Sequence, residues 1–278
     1  MTDFVVSSGV ADVRREPSGE SELVTQALMN MPVYAGKMQG DWTEVKLVDY
    51  MGWMRLSDLA EPIQKGFCKV GDECGSPLPM VAVITATHTP LYATSEGTAS
   101  SGEAYLTTIL PLLDTTHPAR VQVALPGERT AWLDRAALEI REQKDPYPRR
   151  SVEEIIASAR RFLTVPYHWG GVSWAGIDCS GFMQLNYRYG GYFLPRDADQ
   201  QDGFLYHAIE QANMRAGDLI FFGKDKIAHV GMALNDHEYI HAEGREFEQV
   251  IISSFNRADD HYNARLGPIV LSIKRVIE

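Results

Sequence analysis

Short runs in which apolar and polar residues alternate fill the first half of the chain. Val45-Lys46-Leu47 leads to Gly52-Trp53-Met54 and Asp58-Leu59, and Val121-Gln122-Val123-Ala124-Leu125 leads to Ala131-Trp132-Leu133 and Ala137-Leu138. Alternation with period two marks half-buried strands. In both copies the closing Leu follows the Trp at i+6, so the pattern repeats. The repeat predicts two small β-barrels of about 60–70 residues each, with the Trp in the penultimate strand. They span 1–62 and 76–141, the second being looser, with a Ser/Thr-rich middle between Ala93 and Ser101. Residues 60–79 mix Pro, Gly and Cys without periodicity and read as a connector. Arg141 to Arg150, charged and carrying Pro146 and Pro148, reads as a second one.

The pattern then changes to longer apolar segments. Ser151, with Glu154 three residues on, has capping-box spacing and precedes Ile155, Ile156, Ala159 and Phe162 on one helical face. A Gly-rich aromatic loop from Tyr167 ends in Asp178-Cys179-Ser180-Gly181-Phe182 and enters a second helix. A thiol in the first helical turn faces unpaired N–H groups and the positive end of the helix dipole, which favour the nucleophilic thiolate. Gly217-Asp218-Leu219-Ile220-Phe221-Phe222, Ala228 to Leu234 and Tyr239 to Ala242 are strand-like apolar runs, and the last two carry His229 and His241. On adjacent antiparallel strands the two imidazoles would project side by side. That arrangement predicts Cys179 as nucleophile, His229 as general base and His241 as the group that orients it. Each residue alone has an ordinary reading: a single Cys is usually a small buried hydrophobe, and a His in a strand a satisfied core or surface group.

Taken in order, Tyr-x-Trp-Gly-Gly, Asp-Cys-Ser-Gly-Phe, Pro-Arg-Asp, Gly-Asp-Leu-Ile-Phe-Phe, His-Val-Gly and Ile-His-Ala resemble the NlpC-type family of papain-like bacterial cell-wall peptidases over residues 150–278. The two predicted barrels look like bacterial SH3-like domains. The resemblance implies an α+β papain-like cysteine peptidase domain preceded by two all-β SH3-like barrels. It implies Cys179, His229 and His241 as the catalytic set, with no cofactor and no metal. The domain order is similar to that of γ-D-glutamyl-L-diamino acid endopeptidases. That likeness implies hydrolysis of the γ-D-Glu to L-diamino acid bond (meso-diaminopimelate or L-Lys) in peptidoglycan stem peptides with a free N-terminal L-Ala. The product is L-Ala-γ-D-Glu, as in cell-wall recycling.

Such a substrate assigns further roles. A free ammonium in a closed subsite needs carboxylates to offset its desolvation. Asp178 is the first candidate, followed by Glu22 and Tyr50, which match the relatives' Ser-Glu-Leu-Val-Thr-Gln and Tyr-x-Gly-Trp segments. Glu22 as a solvated charge and Tyr50 as a turn residue are the competing readings. The D-Glu α-carboxylate needs donors, and Ser180 and Arg196 qualify; alternatively Arg196 and Asp197 pair to fix their loop. Ala198 stands where some relatives carry Ser, which removes a hydroxyl contact. Trp169 is expected as an apolar wall of the groove or as a core residue. Tyr167 is expected to donate to the oxyanion together with the Cys179 amide.

Composition narrows the remaining choices. The chain has 278 residues, 45% of them apolar, long enough for two or three small domains, and no run approaches the ~18 apolar residues of a membrane span. Its first residues lack a basic and then a long apolar stretch, so a cytoplasmic protein is expected, or a periplasmic or secreted one if a leader has been removed. Three Cys make no disulfide framework, and Cys68 and Cys74 are expected as incidental reduced thiols. A net charge of −11 argues against nucleic acid or an anionic membrane as partner, and a monomer is expected. Three alternatives remain open: a secreted endopeptidase of the polymeric wall, a non-catalytic wall-binding protein, and an acyltransferase or amidase on the same fold.

Overall fold

Within Val10–Arg14, Ala11 and Val13 are buried while Val10, Asp12 and Arg14 are half-exposed, and this alternation builds the first half of the molecule. The computed structural model describes residues 4–63 and 80–277, so Cys68, Cys74 and most of the connector lie outside the described residues. The chain divides into two compact units, Met1–Pro146 and Tyr147–Glu278.

In the first unit β1 (Phe4–Val6), β2 (Val10–Arg14), β3 (Leu23–Leu28), β4 (Pro32–Gln39), β5 (Trp42–Lys46), β6 (Met51–Arg55) and β7 (Leu59–Ala60) pair in the order β3-β2-β6-β5-β4-β1-β7. A second set follows: β8 (Met80–Ile84), β9 (His88–Tyr92), β10 (Ser100–Tyr105), β11 (Ile109–Asp114), β12 (Arg120–Leu125), β13 (Arg129–Asp134) and β14 (Leu138–Glu142). Its order is β10-β9-β13-β12-β11-β8-β14, the same topology shifted by one set of strands. The internal repeat read from Trp53 and Trp132 is therefore a repeat of architecture, with each Trp in the sixth strand. The expected barrel closure is not seen: among the described residues no pairing joins β3 to β7, or β10 to β14. Val6, Val13, Val33, Val45 and Met54 fill one core, and Leu91, Leu110, Val121, Val123 and Leu133 the other. Met29 packs into the second core, and Asn30 Nδ2 donates to the Ile109 carbonyl at 3.0 Å, so the two sheets share one unit.

The second unit contains α1 (Val152–Arg160), the short pair β15 (Val172–Ser173) and β16 (Gly176–Ile177), α2 (Cys179–Tyr189), α3 (Ala198–Phe204) and five antiparallel strands. These are β17 (Asp218–Gly223), β18 (Ile227–Ala233), β19 (Glu238–Glu243), β20 (Gln249–Ser254) and β21 (Val270–Arg275), in the order β20-β19-β18-β17-β21. The predicted capping box closes around Ser151: Glu154 N donates to Ser151 Oγ at 3.3 Å and Ser151 N donates to Glu154 Oε2 at 2.9 Å. Ile155 and Ala159 are buried, Ile156 is half-buried, and Phe162 follows the helix end. α2 is buried on all faces from Cys179 to Tyr187 and packs against β18 and β19; its buried Gln184 and Asn186 side chains donate to the Leu194 and Phe182 carbonyls at 3.0 and 2.9 Å. Asp218 in the Gly-Asp-Leu-Ile-Phe-Phe run is 1% exposed and takes a bidentate contact from Arg275 at 2.8 and 2.9 Å, which locks β17 to β21. Among the described residues no helix is long and apolar enough to cross a membrane.

Candidate active site

Cys179 is the first residue of α2, capped by Asp178, whose Oδ1 accepts from Gly181 N at 2.7 Å. A short polar side chain before an apolar helix is the ordinary capping signal, and here it fixes the thiol at the helix N-terminus. The backbone amides of Val230 and Ser180 donate toward the sulfur, so Cys179 lies against β18 one residue from His229. β18 and β19 are antiparallel neighbours, as the spacing predicts. Their imidazoles meet edge to face with ring centroids 4.9 Å apart and His229 Nε2 2.8 Å from His241 Nδ1.

Beyond the second His lies a residue that the sequence reading did not find. His241 Nε2 is 3.0 Å from Ser253 Oγ on β20, and Asn263 Nδ2 donates to the same oxygen at 3.4 Å. His241 and Ser253 are buried. If His229 Nε2 donates to His241 Nδ1, then His241 Nε2 donates to Ser253, and the lone pair of His229 Nδ1 stays open. That tautomer is the one a base needs. Ser253 carried no sequence signal because Ser in a strand is common and its role depends on register alone.

A cavity of about 840 Å³ opens beside His229, lined by Tyr167, Trp169, Phe222, Lys224, Arg245 and Arg265 among others. Glu243 shapes its far edge. Its Oε2 accepts from the amides of Arg245, Glu246 and Phe247 at 3.0, 2.7 and 2.9 Å, and its Oε1 from Arg265 at 2.6 Å. Burial alone would raise this carboxyl, but the three amides and the guanidinium hold it below its usual range. Gly244 lets the chain pass Tyr167: a Cβ there would sit 2.6 Å from the tyrosine ring. Among the described residues no three His, Cys, Asp or Glu side chains are grouped to hold a metal ion.

Residues 164–264 match the NlpC/P60 family, and residues 13–59 match the bacterial dipeptidyl-peptidase Sh3 domain. Gamma-D-glutamyl-L-lysine dipeptidyl-peptidase of Bacillus cereus (strain ATCC 10987 / NRS 248) is 30% identical over 245 residues, covering 84% of this chain and 71% of the relative. The chain belongs to the NlpC/P60 family. It is a cysteine peptidase. Dipeptidyl-peptidase 6 of Lysinibacillus sphaericus is 27% identical over 284 residues, 97% of each chain. The crystal structure of an NlpC/P60 family protein from Bacillus cereus ATCC 10987 shares the fold, with a TM-score of 0.84 at 23% identity over 99% of both chains.

The NlpC/P60 domain holds several expected site residues in one bonded cluster. Asp178 and Arg196, read separately from the sequence as partners of opposite substrate charges, face each other. Arg196 donates to Asp178 Oδ1 at 3.0 Å and to Oδ2 at 2.6 Å, with Arg196 2% exposed and Asp178 6%. Asp178 Oδ2 also accepts from Gly170 N at 2.9 Å. Ser180 Oγ accepts from Arg196 at 2.9 Å and donates to Asp178 at 3.3 Å. Asp197 precedes α3, its amide donating to Gln200 Oε1 at 3.5 Å. Tyr167 is half-buried on the cavity wall, its hydroxyl kept protonated chiefly by burial. Trp169 is 60% exposed and lines the same wall, which removes the core reading. Glu22 and Tyr50 belong to the first unit. Glu22 meets Arg15 Nε at 2.7 Å at the surface, and the Tyr50 carbonyl accepts from Leu47 N at 2.8 Å while its ring packs on the first core.

One electrostatic expectation is reversed. The helix N-terminus was expected to favour the thiolate, yet burial pushes the Cys179 thiol up to about 12. Burial, aided by the Arg265 charge, carries His229 down to about 4, and burial and its His229 neighbour hold His241 well below the usual value. A helix dipole contributes about 0.3–1 kcal/mol, less than the several kcal/mol that desolvating a charge costs. The resting pair is thus a neutral thiol and a neutral imidazole. Because the His229 pKa is depressed, the free base persists as pH falls through 6.5 and is lost only when the imidazole finally takes up a proton. The acid limb of kcat/KM is expected well below pH 6. A profile from about pH 3 to about pH 8 reads it directly, and a limb centred at 6.5 or above contradicts the neutral pair.

Proposed function

We propose that this protein hydrolyses the bond between γ-linked D-Glu and the following L-diamino acid in peptidoglycan-derived peptides that begin with a free L-Ala. The product is L-Ala-γ-D-Glu. The observation that carries the chemistry is the His229 to His241 contact of 2.8 Å beside a helix-terminal Cys179. The substrate assignment is supported by the names of the two dipeptidyl-peptidase relatives and by a dipeptidyl-peptidase Sh3 match at residues 13–59. Residues 1–62 and 76–141 act in this reading as two SH3-like domains. A requirement for a free amine restricts the enzyme to peptides released from the glycan, the material of wall recycling.

The reaction runs through a thioester. His229 Nδ1 takes the Cys179 proton as the sulfur attacks the γ-carbonyl carbon. The Cys179 amide and the Tyr167 hydroxyl receive the developing oxyanion; removing one such donor typically costs about 10²–10³ in kcat. As the C–N bond breaks, the imidazolium gives its proton to the departing amine. Water then attacks the thioester with His229 as base, and the thiol re-forms with the proton His229 returns. His241, held by Ser253, keeps the imidazole in the required tautomer. Asp178 in its pair with Arg196 is the candidate for the free ammonium. Ser180 and Arg196 are the candidates for the D-Glu α-carboxylate, and Trp169 is the wall of the groove.

The test is cleavage of L-Ala-γ-D-Glu-meso-diaminopimelate against the same peptide N-acetylated, followed by mass spectrometry. Release of L-Ala-γ-D-Glu from the free peptide alone is expected. Equal cleavage of both contradicts the free-amine requirement and moves the protein to the polymeric-wall reading.

A further inference from the structure

This inference rests on the proposed thioester chemistry and concerns which leaving group the site prefers. A general acid must lie within hydrogen-bond reach of the atom it protonates. His229 therefore defines the side on which the diamino acid departs, and the cavity that opens there is its receptacle. The cavity floor is apolar, formed by Phe222, Leu266 and Ile269, which suits the methylene chain of a diamino acid. Its rim is cationic. Lys224, Lys226, Arg245 and Arg265 line it against Asp225 and Glu243, in a chain whose net charge is −11. Glu243 is already matched to Arg265 at 2.6 Å. Among the described residues, the side chains of Lys224, Lys226 and Arg245 have neither a hydrogen bond nor an ion pair.

The rim is a product of local architecture. The β17–β18 register slips between Phe222 and Gly223: Phe222 pairs with His229 while Gly223 pairs with Ile227. A bulge of this kind re-aims side chains beside a site. At Gly223 a Cβ would lie 1.9 Å from the Lys226 carbonyl oxygen, so only glycine permits a turn this tight. The turn holds Lys224-Asp225-Lys226 at the mouth of the cavity, beside the start of the strand that carries His229.

We propose that this rim selects a diamino acid whose distal end carries a carboxylate, the meso-diaminopimelate class, over L-lysine. The two leaving groups share a distal ammonium and a methylene chain. Only diaminopimelate adds an anion for Lys224, Lys226 and Arg245 to meet, whereas the unaccompanied ammonium of lysine is repelled by the same charges. Exposed ion pairs are individually weak, so three of them support a preference of about tenfold.

Three peptides test this: L-Ala-γ-D-Glu extended by meso-diaminopimelate, by meso-diaminopimelate amidated at its distal carboxyl, or by L-Lys. The expected kcat/KM for the first exceeds both others by about tenfold, and the gap narrows with added salt. In the triple variant K224Q/K226Q/R245Q, whose positions are at the rim, the ratio is expected to fall close to one. Equal cleavage of all three peptides, or a ratio the triple variant leaves unchanged, overturns this inference alone. Cleavage of none overturns the proposed reaction, and the inference falls with it.

Discussion

Replacement of Cys179 by Ala is expected to remove turnover while leaving the fold in place. Knocking out the nucleophile of a comparable catalytic unit costs about 10⁴–10⁶ in kcat, because no other group forms the covalent intermediate. The structural cost is small. Cys179 is buried, but its helix keeps its Asp178 cap, and the Ala side chain leaves only the volume of one sulfur. Product release followed by mass spectrometry, together with thermal melting of the variant, separates the two effects. L-Ala-γ-D-Glu should still bind by calorimetry. Turnover within tenfold of the parent enzyme would remove Cys179 from the nucleophile's role.

The largest effect on stability is expected at Arg196. Its guanidinium is 2% exposed and bidentate to Asp178, so R196M leaves a buried carboxylate without its counter-charge. Breaking such a pair from one side costs about 3–5 kcal/mol, whereas removing both charges is far less costly. The double variant D178N/R196M should therefore recover most of the loss, since Asn still caps α2 through its side-chain oxygen. Urea denaturation of the single and double variants measures both quantities. A loss below about 1 kcal/mol for R196M, or no recovery in the double variant, would show that the pair does not clamp the helix start. Because Cys179 follows Asp178 directly, the clamp also holds the backbone of the proposed nucleophile. In the proposed reaction that makes the cluster a support for catalysis whether or not it touches substrate.

Much of the candidate site was legible along the chain because its parts are local signals. Cys179 follows a capping residue, and His229 and His241 lie in short apolar runs whose spacing permits neighbouring strands. What spacing cannot carry is the identity of partners brought in from distant segments. Arg196 reads equally well as a substrate donor or as a partner of Asp197. Its bidentate contact with Asp178 follows from the path of the chain between α2 and α3. Ser253 and Asn263 join the His pair only through the β19–β20 register and the loop beyond it. Glu243 likewise reads as a strand-end charge until three backbone amides and Arg265 are seen to converge on it.

The protonation state shows the same division. A helix N-terminus is visible in sequence and argues for a thiolate, but the degree of burial is not visible, and burial has the stronger effect here. The strand repeat was legible from the Trp–Leu spacing, since alternation and turn residues act within a few positions, but its seven strands per copy were not. Whether each set of strands closes into a barrel depends on pairing between the first and last strands in space, and that pairing is absent among the described residues. By itself, then, the sequence determined the elements and where along them Cys179, His229 and His241 fall, because caps, periodicity and strand spacing are short-range. Only the tertiary structure decided the partners of Asp178, the Ser253 contact of His241, the neutral resting pair and the cationic rim. Each of these depends on burial or on contacts between residues far apart in the chain.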